Sequence, residues 1–136
     1  MGVPGELHHF RGRQLIHIIA DYWFLRSFGI RARSSCLICS THIEQAEKYA
    51  GPTGSVMLIS PSYPCKIIYS KEVRDMHSIT HACQNPFDTG AINDWLTARC
   101  YECIDHPDLI NSEHLGELMI DCESFTATVL EPGLLA

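Results

Sequence analysis

From residue 13 to 28 the chain places Leu15, Ile18, Ile19, Tyr22 and Leu25 three or four positions apart, the spacing of a helix with one buried side. Gly29 follows as a natural stop. The short run 6–10 ahead of it reads as a strand. Residues 35–40 form a second short apolar run, and Thr41-His42-Ile43-Glu44 then has the form of a capping box. A helix is therefore expected over 43–50, ending at Gly51. Residues 55–60 are an apolar run closed by Pro61, and 65–70 follow Pro64, so two buried strands are expected around a proline turn. Asp88 or Thr89 can cap a helix running through Ala91, Ile92, Trp95 and Leu96 towards Cys100. After a polar, loop-like stretch over 105–113, residues 116–122 carry Leu118 and Ile120 on one face. Residues 124–130 alternate Phe125, Ala127 and Val129 against Thr126 and Thr128.

Helices early and strands late, without regular β-α-β alternation, predict an α+β fold with a mixed or antiparallel sheet and helices packed on it. At 136 residues the expectation is a single domain over 1–136, large enough to bury a core without a disulfide framework. A hydrophobic content of 46% with 19% charged residues is that of a folding chain. The formal charge of −6 argues against a broad nucleic-acid surface, although Arg11, Arg13, Arg26, Arg31 and Arg33 gather positive charge in the first third. The apolar stretch near 15–25 is broken by His17 and Asp21 and is too short for a membrane span. Residues 1–10 have neither the cationic nor the apolar segment of an ordinary secretion leader, so a reducing, cytoplasmic location is expected. Export by a specialised machine leaves no such mark.

Seven cysteines include two Cys-x-x-Cys-x-x-His spacings, Cys36/Cys39/His42 and Cys100/Cys103/His106. Each thiol pair can place two thiolates on one Zn²⁺, and together Cys36, Cys39, Cys100 and Cys103 would complete a tetrahedral site. The competing reading packs Cys36 and Cys39 in a strand and Cys100 and Cys103 on a helix face as small apolar groups. His77 and His81 share a helical spacing, yet lack the Glu and third ligand of a hydrolytic zinc site. No G-x-S-x-G, P-loop or G-x-G-x-x-G is present, which disfavours an esterase, an NTPase and a Rossmann dehydrogenase.

A second, more extended pattern comprises His9-Phe10-Arg11-Gly12, the stretch Gly29-Ile30-Arg31-Ala32-Arg33-Ser34 leading to Ser40-Thr41, Ala46-Glu47-Lys48-Tyr49-Ala50, and Gly116-Glu117-Leu118-Met119-Ile120. In this order the chain resembles small ADP-ribosyltransferases, across roughly residues 7–125. The resemblance implies a split, bent sheet around a cleft that binds NAD as co-substrate. It implies a strand-borne Arg11 followed by Gly12 on the dinucleotide, and Ser40 with Thr41 and the next helix, including Tyr49, around the nicotinamide. Glu117, opening a late strand, becomes the catalytic carboxylate, and Arg11, Ser40 and Glu117 should line one pocket. The acceptor of ADP-ribose would be a macromolecule, a protein in the first instance.

Those residue types suit that chemistry. Displacing nicotinamide builds positive charge on the ribose, which a carboxylate stabilises. A guanidinium offers forked donors to pyrophosphate, and a hydroxyl can orient the carboxylate or the ribose. Each residue also has a plainer role: Arg11 as a solvated strand end, Thr41 as a helix cap, Glu117 as an exposed charge, Tyr49 as a cleft wall. Two positions depart from the family pattern. Leu115 stands where many members carry a second Glu or Gln that recruits the acceptor, and His42 replaces the last Ser of a Ser-Thr-Ser strand. A zinc-stabilised protein-binding adaptor, and a degenerate transferase fold used only for binding, are the alternatives.

Overall fold

The computed structural model describes residues 4–130, with the backbone alone for 4–14 and for His77. The chain opens with α1 (Pro4–Phe28). The strand expected over 6–10 is therefore the first part of this helix, and Arg11 and Gly12 sit on a helix rather than a strand. Gly29 ends α1 at φ 77°, its N–H bonding to Leu25 O at 2.9 Å. The buried stripe is Ile16, Ala20 and Phe24, whereas Ile18 and Tyr22 from the expected face are exposed.

Next come α2 (Ala32–Ser35), β1 (Leu37–Ser40) and α3 (Ile43–Ala50), the last ending at Gly51 with φ 70°. The N-cap of α3 is His42 and no side chain caps it, because Thr41 is engaged elsewhere; the expected capping box is not formed. After β2 (Met57–Pro61) and β3 (Cys65–Tyr69) come α4 (His77–Ala82) and α5 (Thr89–Ala98). Asp88 caps α5 as expected, accepting from Ala91 N at 3.0 Å. Then follow β4 (Glu102–Ile104), a short 3-10 turn (Pro107–Leu109) inside the stretch expected as loop, β5 (Glu117–Cys122) and β6 (Phe125–Val129).

The class is α+β with antiparallel sheets: a four-stranded sheet in the order β1-β5-β3-β4 and a two-stranded sheet of β2 with β6. Strand alternation gives the larger sheet two apolar faces. Ile68 and Met119 point to the helical side, where they join Phe24, Ile79, Ile92 and Leu96. Cys65, Ile67, Tyr69, Leu118 and Ile120 form a second cluster on the other side. The two strands expected around the proline turn do not pair. Only β3 is buried; β2 leaves Met57 and Leu58 exposed, and β6 is exposed throughout despite its alternation. No helix among the described residues is long and apolar enough to cross a membrane.

Candidate functional site

On the second face of the larger sheet, a cavity of about 590 Å³ lies between β1, β5, α3 and β2. Ser40, Thr41, Tyr49 and Glu117 all line it, together with an apolar wall that includes Ile67, Leu118 and Ile120. Four residues singled out in the sequence are thus gathered in one place. Arg11 and Gly12 lie on α1, and their side chains fall outside the described residues.

Backbone pairing sets the geometry. Ser40 ends β1 and Glu117 begins β5, and the two are direct cross-strand partners. Thr41 extends the pairing by one step: its N–H bonds to Gly116 O at 2.9 Å, and its Oγ1 accepts from Gly116 N at 3.0 Å while donating to His114 O at 2.8 Å. Ser40 Oγ donates to Gln45 Oε1 and accepts from His42 N at 3.0 Å. Gln45 Nε2 and Glu117 N both donate to Arg74 O at 2.9 Å, tying the segment before α4 to the cavity rim. A Cβ on Gly116 would lie 2.7 Å from Arg74 Cα, so glycine is what permits this approach.

Beneath the rim, His114 is buried against the Tyr69 ring at a centroid distance of 4.8 Å. Its Nε2 is 3.0 Å from Glu117 O, and a carbonyl only accepts, so Nε2 carries the proton. Among the described residues Nδ1 finds no hydrogen-bond partner.

The Glu117 carboxylate is met by Arg33 Nη1 in an ion pair whose two side chains are each only 11% exposed. Arg33 Nη1 is also 3.4 Å from Met119 Sδ, its Nε donates to His17 Nδ1 at 3.4 Å, and its backbone N donates to Asp21 Oδ1 at 2.6 Å. Asp21 accepts from Ser34 N as well, at 3.0 Å. Tyr49 donates to Asp75 Oδ2 at 3.2 Å, and burial and the Asp75 carboxylate push its phenol up. Burial chiefly, with Glu117 adding to it, raises the Tyr101 phenol.

Arg33, Gln45, His114 and Gly116 are functional neighbours that sequence reasoning did not single out. Arg33 appears there within a basic stretch and within the Gly29–Ser34 part of the family-like pattern, without a role of its own, and nothing local marks a partner 84 residues away. Gly116 did carry a signal, since it immediately precedes Glu117.

The four candidate zinc ligands are not brought together. Cys36 and Cys39 are three apart in extended backbone, which turns them to opposite faces of the sheet. Cys100 and Cys103 are not on a helix face either: Cys100 follows α5 with φ 57°, and Cys103 is in β4, both exposed. Among the described residues no group of three or more His, Cys, Asp or Glu side chains is arranged to hold a metal ion. Burial pushes the Cys36 thiol up to about 12 and that of Cys39 to about 11, the opposite of a thiolate poised for metal. Compared with protein-family models, curated proteins and solved structures, the chain matches none.

Proposed function

We propose that this protein is an ADP-ribosyltransferase-like enzyme that binds NAD in the cavity beside β1 and β5 and transfers ADP-ribose to a macromolecular acceptor. The observation that carries the reading is the cross-strand pair Ser40 and Glu117, which bring a hydroxyl and a carboxylate to the edge of a cavity that Thr41 and Tyr49 also line. A volume of about 590 Å³ is in the range of small-molecule sites. Among the described lining residues Glu117 is the one charged side chain, and none is Lys or Arg. That polarity suits the pyridinium and ribose end of NAD, with Tyr49 as an aromatic wall and the pyrophosphate directed outward.

In the reaction the glycosidic C–N bond breaks, its electron pair leaves with neutral nicotinamide, and positive charge grows on the ribose. Glu117 stabilises that charge, and Ser40 orients the ribose hydroxyls. An acceptor nucleophile then bonds to the anomeric carbon and gives up its proton. This assignment uses Arg33, whose guanidinium pairs with the carboxylate, and does not require a strand-borne Arg11.

The test is release of nicotinamide from NAD by the purified protein, alone and with macromolecular acceptors, followed chromatographically. Glu117→Gln keeps the size of the side chain and removes its charge, so release should fall about 100-fold or more while circular dichroism stays the same. Equal rates for a folded Glu117→Gln protein and an active parent would overturn the role of Glu117. An inactive parent with every acceptor would overturn the transferase reading.

A further inference from the structure

The cysteines left without a role by the zinc arrangement contain a different pair. Cys65 in β3 and Cys122 in β5 are direct partners in the antiparallel register, two positions beyond the pair Ile67 and Ile120 that lines the cavity, and so on the same face. Directly opposed residues of antiparallel strands have Cα atoms about 4.5–5.5 Å apart and side chains on the same face. A disulfide needs Cα atoms about 4.4–6.8 Å apart. The Cα separation expected of such a pair lies within that range.

We propose that Cys65 and Cys122 are a dithiol modification site that closes to a cross-strand disulfide when the protein meets a small-molecule disulfide oxidant. The inference is independent of the NAD reading.

The competing thiols are excluded by position. Cys39 is on the same face but pairs with Leu118, four residues from Cys122 along β5, roughly 13 Å at strand rise. Cys103 pairs with Ile68 and so faces the helical side, as does Cys36. Cys83 follows α4, and Cys100 lies beyond α5.

Exposure sets the order of events. Cys122 is half-buried, whereas Cys65 is 3% exposed and donates to Asp105 O at 3.7 Å. The Cys122 thiolate attacks one sulfur of the oxidant, whose S–S bond breaks, and the first small thiol leaves with the proton that Cys122 gave up. Cys65 then attacks Cys122 Sγ, expels the second small thiol and passes its own proton to it. Two protein thiols and one small disulfide become one protein disulfide and two small thiols, so electrons and protons balance. Burial raises the Cys65 thiol, so its attack quickens at alkaline pH.

The experiment treats the reduced, folded full chain with oxidised glutathione, blocks the remaining thiols with an alkylating agent at timed points, and maps the digest by mass spectrometry. The expected result is a linked peptide pair Cys65–Cys122, with the exposed Cys100 and Cys103 free to carry glutathione adducts but not joined to either residue. In Cys65→Ala, the glutathione adduct on Cys122 should persist, and in Cys39→Ala the Cys65–Cys122 link should form as in the parent. A link from Cys122 to Cys39 or Cys103 would overturn the proposal. So would full alkylation of both Cys65 and Cys122 after the exposed Cys100 has formed its adduct. The unsubstituted protein gives the deciding peptide map, so the outcome does not depend on the folding of either variant.

Discussion

At Arg33 one side chain joins α1, α2 and β5: its guanidinium meets Glu117, Met119 and His17, and its backbone N–H is held by Asp21. A surface ion pair contributes about 1 kcal/mol at most, because water screens it and both side chains lose freedom. This pair is different, since each side chain is only 11% exposed and removing one partner strands the other charge out of water. Arg33→Ala should therefore cost about 3 kcal/mol in urea unfolding. In the Glu117→Gln background, where no charge is stranded, the same substitution should cost at least about 1 kcal/mol less. Additive losses in that thermodynamic cycle would mean that the two side chains do not depend on each other. The pair also bears on the proposed chemistry, because Arg33 fixes the direction of the carboxylate that Ser40 faces.

Among the elements, β5 carries most of the site, and its entry is set by Gly116. A methyl there would fall 2.7 Å from Arg74 Cα, which is backbone and cannot swing aside. Gly116→Ala should push Arg74 away from β5, weaken the bonds from Glu117 N and Gln45 Nε2 to Arg74 O, and cost about 2 kcal/mol by thermal unfolding. An unchanged melting temperature would show that the segment before α4 yields freely. How far elements were legible in the sequence follows from what encodes them. Ends set by local chemistry were readable: Gly29, Gly51 and Asp88 stop or start helices where expected, because φ and capping depend on one or two residues. The face of α1 was not, since Ile16, Ala20 and Phe24 satisfy the helical period as well as Ile18 and Tyr22 do, and the choice is made by what packs on it. Thr41 failed as a cap because its hydroxyl is taken by His114 and Gly116, more than seventy residues on. Ser40 and Glu117 could be named singly, but their opposition across β1 and β5 is a property of the sheet register.

For the whole molecule, the sheets divide the chain into parts of unequal burial. β3 and β5 lie between two apolar clusters, and Ile67, Ile68 and Met119 are almost wholly excluded from solvent. Among the described residues β2 and β6 pair only with each other, and none of their residues is fully buried. Local opening needs less free energy where little apolar surface is exposed by it, so such elements open without the rest of the fold. The cavity lies across this division, its one wall formed by the firm sheet through Glu117, Leu118 and Ile120 and the other by Met57, Leu58 and Ile59 of β2. A ligand filling it would bridge the two sheets and draw the weaker one into the more stable unit. Native-state hydrogen exchange should accordingly find the amides of β2 and β6 exchanging at least about 100-fold faster than those of β3 and β5, a difference of about 3 kcal/mol in opening free energy. Saturating NAD should slow β2 and β6 selectively and leave the β3 amides nearly unchanged. Equal protection of all four strands without ligand would mean that the chain opens as one unit, and the two-stranded sheet would then owe its stability to something other than its own burial.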